Sequence, residues 1–403
     1  MVIPHIVLFF LVLVGLAVLV EPLAARLGLP ASAALVLVGF TASEAVVALG
    51  VDTGLRWWHF HDLIFYVFLP VLIFEAAFHL DLRLLSRNLI AVLILAIPAM
   101  LLSTGLIAVI VYYGIGHPSG FPWIAALITG ALLSATDPAA VLDLLKRLGA
   151  PQRLRMLVDG ESLFNDATAI VLFSLLLGLA AADRAQLSWT ATLVEFLRVF
   201  LGGALVGGAI GALGWPLVTR LQGALRAALI TIIAAYGSFL LAEDALHVSG
   251  VMAVLAAGLV LGAGYRRRQR AEFVGELWRF KGHLANAMLF LLSGMTITVI
   301  MFTDRWLAML IGIAAVAIAR ALAVFSLCPL ISRLPGQATI PWSYQAVLYW
   351  GGVRGAVTLA LALSLPAELE YGFTIQSIAY GVVVFNLFIQ APTMAPLMRR
   401  LPL

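Results

Sequence analysis

Ser134-Ala-Thr-Asp-Pro138, followed by Gly160-Glu-Ser-Leu-Phe-Asn-Asp166, decides how this chain is read. Each stretch lies inside a long apolar run, so Asp137, Glu161 and Asp166 are carboxyl groups at the depth of a bilayer. Insertion scales put such a group at the centre of a membrane helix at a cost of about 2.5–3.5 kcal/mol. A chain that keeps several of them there is expected to handle protons or cations.

The rest of the sequence supports that setting. Of 403 residues, 63% are hydrophobic and 11% charged, and the mean hydropathy is +1.08. Soluble domains carry roughly 25% charge, so the composition excludes one and predicts an all-α polytopic membrane protein. Apolar runs of about 20 residues suffice to cross the hydrocarbon core. Thirteen fall near 5–25, 31–50, 60–79, 88–115, 122–145, 155–182, 190–218, 226–243, 248–265, 282–302, 305–330, 341–366 and 374–397. More spans follow the first directly, so it reads as a span and not as a cleaved signal peptide.

Loop charge orients the thirteen. With the N-terminus outside, eighteen of the 24 Lys and Arg face the cytoplasm, and only Arg56, Arg184 and Arg305 face out. Arg198, Arg320 and Arg354 lie within spans. The positive-inside rule therefore predicts an N-out, C-in chain. The same bias accounts for the net charge of +4 without any nucleic-acid partner. Arg266-Arg-Arg-Gln-Arg270 reads more readily as a stop signal in a solvated loop than as a site for anionic lipid. The single cysteine, Cys328, lies in an apolar span, which argues against disulfides and thiolate metal sites and for a small core residue.

Thirteen spans divide as six, one connector and six, and an odd connector inverts the second six relative to the first. Interruptions recur at matching places. Span five carries Pro138, which removes a backbone donor and clashes with the preceding turn; span twelve carries Gly351-Gly-Val-Arg-Gly355. Unwound backbone at membrane depth is tolerated only where it is buried or lines a cavity, so the two breaks are expected to cross and form a site. The connector, with Gly202, Gly203, Gly207, Gly208, Gly211 and Gly214, suits close helix packing and lacks the strand a nucleotide-binding loop needs. Glu195 and Arg198, three apart on it, are expected to neutralise each other.

Depth gathers the polar residues. Asp166 and Asp137 fall near the middle of spans six and five, Arg354 and Arg320 near the middle of spans twelve and eleven, and Glu75 about a turn to the cytoplasmic side in span three. Ser162 and Asp166 share one helix face, and Glu161 and Asn165 the neighbouring one. Oxygen ligands of this kind suit a hard cation, whereas Glu161, turned away, suits a buried arginine. Glu44, Asp143 and Asp159 lie nearer span ends, where vestibule or structural roles are at least as well served.

Thr136-Asp-Pro138, Glu161-Ser-Leu-Phe-Asn-Asp166, Phe74-Glu75 and Gly351-Gly-Val-Arg-Gly355, in their order along the chain, resemble the NhaP-type sodium/proton antiporters, prokaryotic relatives of the animal sodium/proton exchangers. The resemblance implies a multi-pass protein of the cell (inner) membrane, working as a homodimer by alternating access. It implies a dimerisation domain near 1–80 plus 220–302, a core near 88–182 plus 305–403, and 190–218 as the connecting helix. Asp166 would carry either cation or proton, with Asp137, Ser162, Thr136 (through its backbone), Glu75 and Asn165 completing or supporting the Na+ site. Glu161 and Arg354 would form a structural ion pair, with Arg320 a supporting arginine. Na+ or Li+ and H+ would be the substrates, with no cofactor. In related electrogenic antiporters the pair is Asp-Asp; Asn165-Asp166 leaves one titrating carboxylate and favours one-for-one, electroneutral exchange.

Competition for one carboxylate is enough to couple two fluxes, because desolvation favours the protonated acid and a bound cation the ionised one. A K+/H+ antiporter or a cation channel of the same fold are the alternatives, since selectivity among sodium, lithium and potassium depends on cavity size and ligand number. The paired breaks favour a carrier. An intramembrane protease is disfavoured: all seven histidines sit at span ends or in loops, so none reaches Ser162 at membrane depth.

Overall fold

A computed structural model of the chain describes residues 3–27, 29–49, 60–116, 120–181, 189–220, 223–265, 272–366 and 368–401. Arg56, Arg184 and the Arg266-Arg-Arg-Gln-Arg270 run, used above to orient the chain, lie outside them. All regular structure among the described residues is helical. Among the described residues, eight helical segments are long and apolar enough to cross a membrane, and Ala31–Val46, Ile64–His79 and Gly250–Tyr265 are shorter apolar helices.

The helices are α1 (Ile3–Leu27), α2 (Ala31–Ala48), α3 (Phe60–Leu63), α4 (Leu69–His79), α5 (Leu82–Ala96), α6 (Pro98–Gly114), α7 (Trp123–Ser134), α8 (Ala139–Arg147) and α9 (Gln152–Ala181). Then follow α10 (Trp189–Arg220), α11 (Ala224–Leu240), α12 (Gly250–Tyr265), α13 (Glu272–Thr296), α14 (Val299–Ser332), α15 (Trp342–Trp350), α16 (Ala356–Leu363), α17 (Gly372–Phe385) and α18 (Ala391–Arg400).

Proline and polar side chains set many of the boundaries. Asp81 caps α5, its carboxylate accepting from Arg83 N at 2.9 Å and Leu84 N at 3.2 Å. One apolar run divides into α5 and α6 at Ile97, before Pro98, whose φ of −109° distorts the helix without leaving the helical region. Widened π-helical turns at Ile64–Phe68 and Asn386–Gln390 lie just ahead of Pro70 and Pro392, whose rings would otherwise strike a carbonyl four residues back. One boundary differs from the hydropathy reading. The tenth run was expected to reach residue 302, but α13 ends at Thr296 and Thr298 is extended. The apolar Val299–Phe302 instead opens α14, which kinks at Arg305.

Both expected interruptions are present. Residues 135–138 separate α7 from α8, and 351–355 separate α15 from α16. The breaks bind each other: Asp137 N donates to Val353 O at 2.6 Å, and Arg354 Nε donates to Leu133 O at 2.8 Å.

The helices pack in two sets. In one, α2 lies on α13, α4 on α12 and α13, α1 on α2, and α10 on α11 and α12. In the other, α5 lies on α9, α6 on α7 and α14, and α17 on α14 and α16. Contacts of α13 with α16, and of α9 with α10 and α12, join them. Gly207 allows the α10–α12 approach, since a Cβ there would overlap the Ala253 backbone. Glu195 and Arg198 do pair, at 2.9 and 2.6 Å, on an exposed face, and Cys328 is a buried core residue.

Arg153, unremarked in the sequence, ties the α14–α15 loop to the second set. It donates to Asn88 Oδ1 at 3.1 Å, Thr339 O at 2.6 Å and Ala338 O at 2.6 Å. A lysine cannot span three acceptors with one ammonium. Arg153→Lys is therefore expected to cost about 1–2 kcal/mol, read as a lower melting temperature of the detergent-solubilised protein; unchanged melting would show the clamp to be dispensable.

Candidate cation site

A cavity of about 540 Å³ lies between the two sets. Its walls include Glu75 and His79 of α4, Asp137 of the first break, Ser162 and Asp166 of α9, and Asn286 of α13. Asp166 is 9% exposed, and its Oδ1 is buried with no hydrogen-bond partner among the described residues. One turn away, Ser162 donates its hydroxyl to Thr136 O. Asn165 donates Nδ2 to Ser134 O at 3.0 Å and Thr136 Oγ1 at 3.4 Å, and its own Oδ1 is left without a donor. Ser162 and Asn165 of α9 are therefore both hydrogen-bonded to the end of α7 and the unwound segment that follows it.

Asp137 joins the two breaks. Its Oδ1 accepts from Ala139 N at 3.2 Å and its Oδ2 from Ala356 N at 3.1 Å, so one carboxylate meets the amide-rich start of both α8 and α16. The arginines treat the opposite ends. Arg320 donates to Leu348 O, near the end of α15, at 2.8 and 3.2 Å, and Arg354 donates to Leu133 O, near the end of α7. Cations belong at such carbonyl-rich ends.

This arrangement corrects one expected contact. Glu161 pairs with Arg320, not Arg354, through both carboxylate oxygens, the Nη2–Oε2 arm at 2.9 Å. Arg354 instead donates to Leu133 O and Gly352 O. Carbonyls at the unwound 351–355 segment and the end of α7 lie beside Arg354 and absorb its guanidinium, whereas Glu161 meets Arg320 of α14. All three side chains are buried, at 2% for Glu161, 5% for Arg320 and 1% for Arg354.

Glu75 reaches the same cavity from the other set of helices. Its Oε1 lies 3.1 Å from Nδ1 of His79, and it packs over Gly282 of α13. Toward the exposed end, Asp143 pairs with Lys146 at 3.7 Å and His283 with Glu21 at 2.8 Å. Asn286 was missed from the sequence. Its one signal was a lone amide in an apolar run, which the hydropathy reading passed over.

Comparison with known proteins adds a second line. Residues 9–400 match the family model described as "Sodium/hydrogen exchanger, transmembrane". The chain is 38% identical over 347 residues to the Na(+)/H(+) antiporter ApNhaP of Aphanothece halophytica, covering 85% of this chain and 65% of that protein. It is 33% identical over 354 residues to the Na(+)/H(+) antiporter NhaP of Pseudomonas aeruginosa, covering 85% of this chain and 82% of that one. The chain spans about two thirds of the length of the first of these relatives, 65%. Its fold is similar to the solved structure of the sodium proton antiporter MjNhaP1 from Methanocaldococcus jannaschii, with a TM-score of 0.83 at 20% identity over 98% of both chains.

Proposed function

The chain belongs to the sodium/hydrogen exchanger family, and we propose that it is a secondary antiporter exchanging Na+ or Li+ for H+ across the cell membrane. Asp166 carries either ion, one at a time. The observation that carries this reading is the Oδ1 atom of Asp166, buried at the cavity without a hydrogen donor. Of the other acidic residues in the lining, Asp137 is held by two backbone amides, Asp143 pairs with Lys146, and Glu75 lies 3.1 Å from His79. One carboxylate with an open oxygen takes one proton or one cation, which supports electroneutral exchange. Ser162, Asp137, Thr136 and Glu75 supply oxygens of the hard type that suit an alkali cation, and Asn165 holds the unwound segment in place. Both relatives compared above are named Na(+)/H(+) antiporters, which favours sodium over potassium.

The same reading carries the topology. Thirteen spans, N-out and C-in, form two inverted six-helix repeats around α10, with the hydrogen bonds between the two breaks as support. Residues 1–80 plus 220–302 form the dimerisation domain of a homodimer, and 88–182 plus 305–403 the core that moves; the division of helix packing into two sets with the cavity between them supports this. Apolar side chains left exposed on α1 and α10, such as Leu19 at 70% and Leu205 at 75%, suit lipid or a second copy.

Purified protein in liposomes tests the exchange. Inward 22Na+ uptake driven by an outward proton gradient, and lost when that gradient is collapsed, is the expected result. Uptake indifferent to the proton gradient would mean a channel. Gly355 offers a finer check. A Cβ there would lie 2.7 Å from Cβ of Asp137 and closer still to its carboxylate. Gly355→Ala is therefore expected to push Asp137 off the Ala356 amide and raise the KM for Na+ roughly tenfold, the worth of one charged hydrogen bond.

A further inference from the structure

We infer that Asn286 coordinates the transported cation from the wall opposite Asp166, and so helps determine which cation is taken. This rests on the exchange reading above. Arg279, Gly282, His283 and Asn286 all line the cavity, and their spacing of three, four and seven is one face of a helix. Contacts with α4 fix how that face is laid out. A Cβ on Gly275 would lie 3.6 Å from His79 Nε2, and one on Gly282 would lie 2.9 Å from Glu75 Cγ. The two helices therefore run antiparallel along the cavity, and Asn286 is a turn beyond Glu75. Arg279 is about 10 Å back along α13 at 1.5 Å per residue. The charged and exposed lining lies at the Arg279 end, and Asn286 at the buried end.

The amide is also short of partners. Asn286 Oδ1 is buried with no hydrogen-bond donor among the described residues, as are Oδ1 of Asp166 and Oδ1 of Asn165. A buried acceptor left unmet costs about 1–3 kcal/mol, and native structures leave few without a reason. Two of these oxygens, those of Asp166 and Asn286, belong to residues that line one cavity, and a cation there would meet the need of both. A neutral amide oxygen adds a ligand without adding charge, so one Na+ still balances Asp166 alone, as one-for-one exchange requires. The position has a further consequence. Asn286 lies on α13, packed with α2 and α4, whereas Asp166 lies on α9 in the other set. Relative movement of the two sets would withdraw this ligand from the cation, loosening it for release.

Wild-type protein, Asn286→Ala and Asn286→Asp in proteoliposomes, assayed for sodium- and lithium-evoked proton movement, test this. Asn286→Ala is expected to raise the KM for Na+ about five-fold, the worth of one neutral ligand, with maximal rate retained and the Li+ to Na+ preference changed. Asn286→Asp, which keeps an oxygen at the same place and adds charge, is expected to bring the KM below the wild-type value. An unchanged KM and ion preference in Asn286→Ala, or a fall in maximal rate alone, would overturn the inference and leave a packing role. If Asn286→Ala does not fold, Asn286→Asp decides by itself: a KM lower than wild type supports the ligand, and an unchanged one overturns it. Failure of the wild type to exchange would sink the exchange reading instead. Sodium-dependent thermal stabilisation, smaller in Asn286→Ala than in wild type, would still report the ligand; an equal shift would overturn it.

Discussion

Asp166→Asn is expected to reduce sodium-evoked proton movement to the level of protein-free liposomes while leaving the protein folded. The two side chains have the same shape, and Oδ1 of Asp166 has no hydrogen-bond partner to lose, so packing changes little. The chemistry changes completely. An amide neither holds a transferable proton in the working pH range nor offers a negative charge to a cation, and both halves of the exchange run through that one group. Melting close to wild type together with absent exchange is the expected pair of results. Measurable coupled exchange in this variant would mean that Asp137 or Glu75 can carry the proton, and the single-carboxylate scheme would fail.

Breaking the Glu161–Arg320 pair is expected to have the largest effect on stability. Both groups are buried, and Glu161→Gln would leave the Arg320 guanidinium without its counter-charge, held only by neutral oxygens such as the Leu348 carbonyl. Removing one partner of a buried pair costs about 3–5 kcal/mol, a large part of the 5–15 kcal/mol that holds an ordinary domain together. Poor expression or a strongly lowered melting temperature should follow. Glu161→Gln with Arg320→Gln should be milder than the two losses added, because no lone charge remains buried. Glu161→Gln with Arg354→Gln should show the smaller coupling of the two, since Arg354 binds carbonyls and not Glu161. The reverse pattern in these two double-mutant cycles would restore Arg354 as the partner.

That pairing marks where sequence reading reached its limit. The helix breaks were legible because their causes are local: Pro138 cannot donate, and three glycines within Gly351–Gly355 do not hold a helix. The face shared by Ser162 and Asp166 was legible from helical period alone. Which of two arginines meets Glu161 depends on how α14 and α15 rotate against α9, and spacing along the chain carries no record of that. The ends of α13 were misjudged for a different reason. Its first turns from Glu272 carry too many polar residues for a hydropathy window, and Val299–Phe302 is apolar but belongs to the next helix. Arg153 and Asn286 were passed over because their roles come from residues far away in the chain, Ala338 and Thr339 for one and the α4 wall for the other.

One-for-one exchange on Asp166 is tested most directly by proton movement in proteoliposomes after a sodium pulse, with and without a potassium/valinomycin voltage clamp. Sodium-evoked flux of the same rate and extent in both conditions is the predicted result. Flux that rises or falls with the imposed voltage would contradict it, because net charge would then cross with each cycle and a second titrating group would have to share the work.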